Sequence, residues 1–174
     1  GNMFAERFLK IAPYRVEPIT QENISRVQTL LESNPEYFHA TQSHPVSRAD
    51  CMADISALPP GKTMSDKSYL LLSDSIGDLA VIDFIEQYPN DRSGYLGFFI
   101  LSGERHNQGI GQTLLGIVEK TAQQCGLSRI ELACFASNKP GLRFWAKEGY
   151  QLIRTSKRVI DNISYTILSL EKQL

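Results

Sequence analysis

Apolar residues recur in this chain at two periods, and the change from one to the other divides it. Ile24, Val27, Leu30 and Leu31 repeat at helical spacing, with Thr20 as the expected N-cap and Asn34-Pro35 as the stop. Before them, residues 1–19 have no clear period, and Pro13 and Pro18 predict an extended path. After them, residues 35–46 are polar with two prolines and read as a loop. Ser47 with Asp50 marks a second helix start; Cys51, Ile55 and Leu58 form its apolar face, and Pro59-Pro60-Gly61 ends it.

From residue 69 the pattern is that of strands. Residues 69–73, 79–88 and 95–101 form three apolar runs, separated by the turn-forming stretches DSIGD and PNDRSG. The last two are apolar on both faces, so both sides of their sheet should be covered. A helix follows Gly111, with Leu114, Leu115, Val118, Ala122 and Cys125 on its buried side and Gly126 at its end. Residues 129–135 read as a strand, and 138–147 as a short helix that Gly149 terminates. Two final strands flank Asp161-Asn162, a two-residue hairpin signal. The order α-α-β-β-β-α-β-α-β-β predicts antiparallel hairpins around a central β-α-β unit: an α/β chain of the α+β type, with a mixed sheet covered by helices.

Composition narrows the function classes. The 174 residues suit one domain. With 18 basic and 19 acidic residues the net charge is −1, which argues against a general nucleic-acid or anionic-membrane partner. No apolar run approaches the roughly 18 residues of a membrane span. The three cysteines, Cys51, Cys125 and Cys134, form no C-x-x-C, so neither a disulfide framework nor a metal site is signalled. His39 and His44, five apart on a predicted loop, do not have a convincing metal spacing either. With no secretory or transit pattern at the start, a cytoplasmic location is expected.

The candidate chemistry centres on His106-Asn107-Gln108-Gly109-Ile110-Gly111, between a predicted strand and a predicted helix. A helix N-terminus carries about half a positive charge and unpaired N–H groups, and glycines let an anion come close. A dinucleotide fingerprint would need glycine where Leu114 stands, and hairpins do not suit a doubly wound sheet. Gly61-Lys62-Thr63 suggests a P-loop, but Ser56 stands where that motif needs glycine, and no strand precedes it.

A second motif lies downstream: Asn138-Lys139-Pro140-Gly141-Leu142-Arg143-Phe144-Trp145-Ala146-Lys147-Glu148-Gly149-Tyr150. The two motifs, in this order of elements, resemble the GNAT superfamily of acyl-CoA-dependent N-acetyltransferases over roughly residues 14–172, leaving 1–13 as an N-terminal extension to a single domain. The resemblance implies a mostly antiparallel sheet of about six to seven strands with a splayed central pair and helices on both faces. It implies acetyl-CoA as co-substrate, no metal, and acetyl transfer to a primary amine of a small molecule or peptide by direct attack through a tetrahedral intermediate. Dimers are common among similar proteins.

Residue by residue, the resemblance places the cofactor's pyrophosphate at the amides of His106, Asn107, Gln108, Gly109, Ile110, Gly111 and Gln112. It pairs the backbone of Phe99, Ile100 and Leu101 with the pantetheine arm, and an amide there helps hold the thioester oxygen. Asn138 matches the asparagine that hydrogen-bonds the cofactor, and is equally a helix N-cap. Gly97, inside the same strand, marks a bulge or a close packing contact.

Two positions depart from the family pattern. His106 replaces the usual Arg or Gln, with Arg105 beside it, or the backbone alone, as the source of positive character. Trp145 replaces the tyrosine credited with protonating the departing thiolate, and an indole N–H does not transfer a proton at neutral pH. That change keeps a non-catalytic acyl-CoA-binding or regulatory module as the alternative reading. A thiol pKa of about 8.5 makes thiolate departure cost only roughly 2 kcal/mol at neutral pH, whereas freeing an alkylamine of pKa about 10.4 costs roughly 4.6 kcal/mol. A general base is therefore the group to seek. The candidates are Asp83 and Glu86, which strand alternation places on opposite faces; Glu86, nearer the expected acceptor, is preferred. The acceptor region should comprise the first two helices, residues 35–46, with Tyr37 and Phe38, and the final hairpin.

Overall fold

The computed structural model describes residues 3–174. A seven-stranded sheet runs through it. The strands are β1 (Arg15–Pro18), β2 (Lys67–Ser73), β3 (Asp78–Glu86), β4 (Ser93–Leu101), β5 (Arg129–Phe135), β6 (Gln151–Ile160) and β7 (Ile163–Gln173), in the order β1-β2-β3-β4-β5-β7-β6. Every neighbouring pair is antiparallel except β4 with β5. The helices are α1 (Met3–Ile11), α2 (Ile24–Glu32), α3 (Pro35–Thr41), α4 (Arg48–Ser56), α5 (Ile110–Gln124) and α6 (Lys139–Lys147).

The sheet divides the core in two. Phe4, Phe8, Leu70, Leu72, Ile82, Phe84, Leu114, Leu115, Val118 and Trp145 belong to one cluster, which joins α1, α5 and α6 to one face. Ile24, Val27, Leu30, Leu31, Cys51, Tyr69, Leu71 and Val81 belong to the other, which joins α2 and α4 to the opposite face. All seven residues of β2 are buried, as expected for a strand covered on both sides. Arg26 ties α2 to the sheet through Glu17 on β1 at 2.9 Å and Asp78 on β3 at 2.7 Å. These pairs are partly exposed and set orientation more than stability.

Several elements follow their sequence signals closely. Ser47 and Asp50 form a reciprocal capping box at the start of α4. Asp161 and Asn162 both have positive φ, 51° and 63°, as a tight hairpin turn requires. The N-terminal third departs from expectation. Of the residues expected to be extended, 15–18 form the extended strand β1 but 3–11 form α1, and part of the expected loop forms α3. In α1, Phe4 and Phe8 lie one turn apart and are fully buried, with Phe4 stacked on Phe84 at 3.9 Å between centroids. That long-range contact, invisible in local periodicity, holds a helix too short to stand alone. The first helical position of α3 is Pro35, because a proline that ends one helix is also suited to start the next. The cap of α2 is Asn23, whose side chain accepts the Thr20 amide at 2.9 Å, so the helix begins later than expected. Residues 1–13 had read as an extension outside the domain; α1 within them contributes to the first core cluster, while residues 1 and 2 lie outside the described residues.

Phe4→Ala should destabilise the fold by about 3–5 kcal/mol, as for other buried phenylalanine truncations. Denaturant titration checks this, and a change below about 1 kcal/mol would mean that α1 is dispensable to the core.

Candidate active site

The sheet opens at its centre. β4 and β5 pair only at Ser93–Arg129, Gly94–Ile130 and Tyr95–Glu131. Beyond Tyr95, β4 stays with β3 as far as Leu101, and β5 stays with β7 as far as Phe135. The strands part around a cleft of about 960 Å³, lined by residues 96–101 of β4 and 132–135 of β5. One edge of β4 thus faces open space in the middle of a sheet, with peptide groups that a ligand can pair. The register of β3 with β4 shifts here: Asp83 faces Phe98 and Phe84 faces Leu96, leaving Gly97 as the extra residue of a bulge. A Cβ at Gly97 would stand 3.4 Å from Asp83 Oδ2.

The segment after β4 is held at three points. Asn34 Nδ2 donates to the Leu101 carbonyl at 2.9 Å, and the Gly103 amide donates to Ser33 Oγ at 2.8 Å. A Cβ on Gly103 would collide with the Ser33 carbonyl. Arg105 makes a two-pronged pair with Asp74 at 3.0 and 2.7 Å, and this guanidinium holds the Asp74 carboxyl down to about 2. Arg105 is therefore buried as a tether, which leaves the backbone, the other source of positive character expected beside His106. Asn107 and Gly109 then take left-handed φ values of 62° and 74°, turning the chain into α5. The first i→i−4 bond of that helix is Thr113 N to Gly109 O, so the amides of 110–112 precede its internal ladder.

Each expected donor-site residue has a definite place. Phe99, Ile100, Leu101, His106, Asn107, Gly109, Ile110, Gly111, Gln112, Asn138 and Trp145 line the cleft. Gln108 is exposed and is not part of that lining. Asn138 caps α6 by accepting the Gly141 amide at 3.1 Å. Trp145 is buried among Phe99, Phe144 and Tyr150, at ring distances of 5.7, 5.0 and 5.2 Å. Lys139 and Lys147 also line the cleft. The sequence reading missed these two, although Lys139 directly follows the capping asparagine.

The two carboxylates of β3 face opposite ways. Glu86 lies on the α1 side, beside the Phe4 amide, and burial raises its pKa; neither it nor Asp83 is among the cleft-lining residues. Asp83 lies on the α4 side, beneath the Gly97 bulge, with its Oδ2 2.9 Å from Lys67 Nζ. Burial raises the Asp83 carboxyl, and Lys67 opposes that rise. Lys67 also donates to the Ala57 carbonyl at 2.8 Å, and its ammonium stands 5.1 Å from the centre of the Tyr69 ring. Asp54 of α4 interacts electrostatically with both Lys67 and Asp83. It escaped the sequence reading, being an exposed carboxylate one turn from the buried Cys51.

Residues 29–150 match the family described as Acetyltransferase (GNAT) family. This chain belongs to the GNAT family. Solved structures agree at the level of fold. An acetyltransferase from Thermus thermophilus superposes with a TM-score of 0.72 at 15% identity, covering 94% of this chain and 99% of that one. A ribosomal-protein-alanine N-acetyltransferase from Brucella melitensis gives 0.66 at 14%, covering 92% and 99%. An IAA acetyltransferase from Bacillus cereus gives 0.61 at 16%, covering 92% and 99%. A search of curated proteins found no match. GNAT proteins with differently named acceptors share this fold, so the fold alone does not select one.

At the α3 side of the cleft, Tyr37 packs edge-on against Phe98 at 5.9 Å and lines the opening. The hairpin tip reaches the stretch before α4: Ser43 Oγ donates to Asp161 at 2.7 Å, and His44 lies 3.2 Å from Asp50 and 3.5 Å from Asp161. Among the described residues, no group of three or more His, Cys, Asp or Glu is arranged to hold a metal, and no helix is long and apolar enough to cross a membrane.

Asp54 generates a pH prediction. It keeps solvent access, yet the surrounding protein raises its carboxyl from 3.8 to about 6, chiefly by burial. Between those values the folded chain holds a proton that the unfolded chain has released, so this group costs stability as pH rises. Asp54→Asn should therefore gain on the wild type in denaturant midpoint from about pH 4 to about pH 6, and hold that gain above. A difference independent of pH would show that the carboxyl is not perturbed.

Proposed function

We propose that this GNAT protein transfers the acetyl group of acetyl-CoA to a primary amine of a small molecule or peptide by direct attack. The observation that carries the reading is the unpaired edge of β4, which opens into a cleft ending at the amino terminus of α5. Peptide groups of Phe99, Ile100 and Leu101 suit the amide-rich pantetheine arm. The helix terminus after Gly109 suits the pyrophosphate, with the amides of residues 106–112 as donors. Lys139 and Lys147 add the positive charge that Arg105 spends on Asp74.

The acceptor ammonium loses a proton to a base, and its nitrogen bonds to the thioester carbon. The oxygen of the resulting tetrahedral intermediate takes its charge to a β4 amide. The C–S bond then breaks, and the sulfur leaves as thiolate and collects a proton. The net products are the N-acetylamine and free thiol. Asp83 is the better-placed base of the two β3 carboxylates, because Glu86 lies behind the sheet against α1. Cys134 lines the cleft, but burial pushes its thiol up to about 11, which disfavours an acyl-enzyme and favours direct attack. Trp145 walls the thiol end of the cleft without serving as an acid. The free thiols Cys51, Cys125 and Cys134 fit a reducing cytoplasmic setting.

Acetyl-CoA-dependent release of free thiol with a panel of amines tests the proposal. Gly109→Val, which forces a branched residue into a left-handed turn, should raise the KM for acetyl-CoA at least about tenfold. Trp145→Phe should lower kcat only about tenfold, since thiolate departure needs about 2 kcal/mol at neutral pH. Loss of turnover in Trp145→Phe with coenzyme A binding intact would make Trp145 essential. Coenzyme A binding without transfer to any amine would favour a regulatory module.

A further inference from the structure

We infer that the Tyr37 hydroxyl, brought into the cleft by α3, donates a hydrogen bond to the sulfur of the acyl donor as it leaves. This inference rests on the transferase reading and deepens it at the thiol end of the cleft. α3 bridges the parting of the sheet. Just before its start, Asn34 is bonded to the Leu101 carbonyl of β4. Near its end, the Ala40 carbonyl accepts Ser137 Oγ, two residues beyond β5, at 2.5 Å. β4, β5 and α3 thus form a closed frame, shut at one end by the pairing of Tyr95 with Glu131 and at the other by α3. Residues from all three sides line the cleft, Tyr37 among them. Tyr37 meets Phe98 of β4 edge-on and interacts electrostatically with Cys134 of β5. Phe98 packs with the α2 and α4 cluster, whereas Cys134 belongs to the cluster that contains Trp145. Tyr37 therefore stands between the two walls of the opening.

The Tyr37 hydroxyl is free for a ligand. Among the described residues it makes no hydrogen bond, and it is not one of the unpartnered oxygens sealed from solvent. The other groups near the thiol end are committed. Tyr150 donates to Glu119 at 2.9 Å, and the Trp145 indole is boxed in by Phe99, Phe144 and Tyr150. Burial raises the Tyr37 hydroxyl above the ordinary tyrosine range. Proton transfer from it to a thiolate, whose parent thiol has a pKa of about 8.5, runs uphill, so the hydroxyl keeps its proton. What it offers is a hydrogen bond to developing charge, which is stronger than one between neutral groups. When the C–S bond of the tetrahedral intermediate breaks, its electron pair goes to sulfur. The intact Tyr37 O–H meets that charge, and the thiolate later takes a proton from solvent and departs as free thiol. The β4 amide serves the oxygen, so each of the two developing charges has its own donor.

Titration of bound coenzyme A tests the inference without an acceptor. Thiolate is read as the ultraviolet difference between protein saturated with coenzyme A and protein saturated with desulfo-coenzyme A, so that Cys51, Cys125 and Cys134 cancel. The bound thiol should titrate about one pH unit higher in Tyr37→Phe than in wild type, a roughly tenfold loss of acidity. Calorimetric affinity for coenzyme A at about pH 6, where the thiol is protonated, should change less than about twofold. With an amine that wild type acetylates, Tyr37→Phe should lower kcat about tenfold and leave the KM for acetyl-CoA unchanged. Identical thiol titrations in wild type and Tyr37→Phe overturn the inference. Loss of coenzyme A binding in Tyr37→Phe also overturns it, by making the residue a wall of the cleft. A shift seen in Trp145→Phe alone gives the hydrogen bond to the indole and overturns it as well. Acetyl transfer is scored separately. A titration that depends on Tyr37, without transfer to any amine, overturns the transferase reading and leaves the contact between Tyr37 and sulfur standing.

Discussion

The parting of β4 from β5 is the constraint on which the rest of the structure depends. A sheet gains its cohesion by pairing every interior peptide group, and here the pairing stops after Tyr95. The free edge must meet either solvent or a ligand rich in amides and hydroxyls, because peptide groups buried without partners are costly. Much of the surrounding structure keeps the gap open and its walls fixed. Ser33 and Asn34 hold the end of β4 from one side, and Asp74 holds Arg105 from another. The α5 terminus consequently meets the cleft in a fixed position.

The two faces of the sheet serve different parts of the chemistry. On the α1 and α5 face the buried side chains are almost wholly apolar. On the α2 and α4 face, a lysine, two aspartates and a tyrosine interrupt the apolar cluster. Such a group is expensive to desolvate and is a poor way to stabilise a fold. It lies beside the bulge at Gly97, which lines the cleft, whereas Glu86, three residues along, projects to the other face.

Much of the donor side was legible in the sequence. The strand 129–135, the hairpin at Asp161-Asn162 and the helix after the glycine pair lie where periodicity and turn chemistry place them. The two motifs are each contiguous and build their own local geometry, so spacing suffices to recognise them. The choice between Arg105 and the backbone stayed open in the sequence because the partner of Arg105, Asp74, lies on a distant turn that its own neighbourhood does not reveal. The N-terminal helices were misread for a related reason. α1 rests on Phe4 meeting Phe84, and α3 begins at a proline that is equally good as a stop.

By itself the sequence determined the order of elements from α4 onward, the mixed sheet and the glycine turn, because each depends on residues within a few positions of one another. Only the tertiary structure decided which polar residues gather on the α4 face. Tyr37, Asp54, Lys67, Tyr69, Asp83 and Gly97 come from α3, α4 and three strands, and their meeting depends on strand register and on where α4 docks. A slip of one residue in β3 would send Asp83 to the α5 face and Phe84 into its place. No pattern along the chain encodes that choice; it is made when the two apolar clusters close on opposite sides of the sheet.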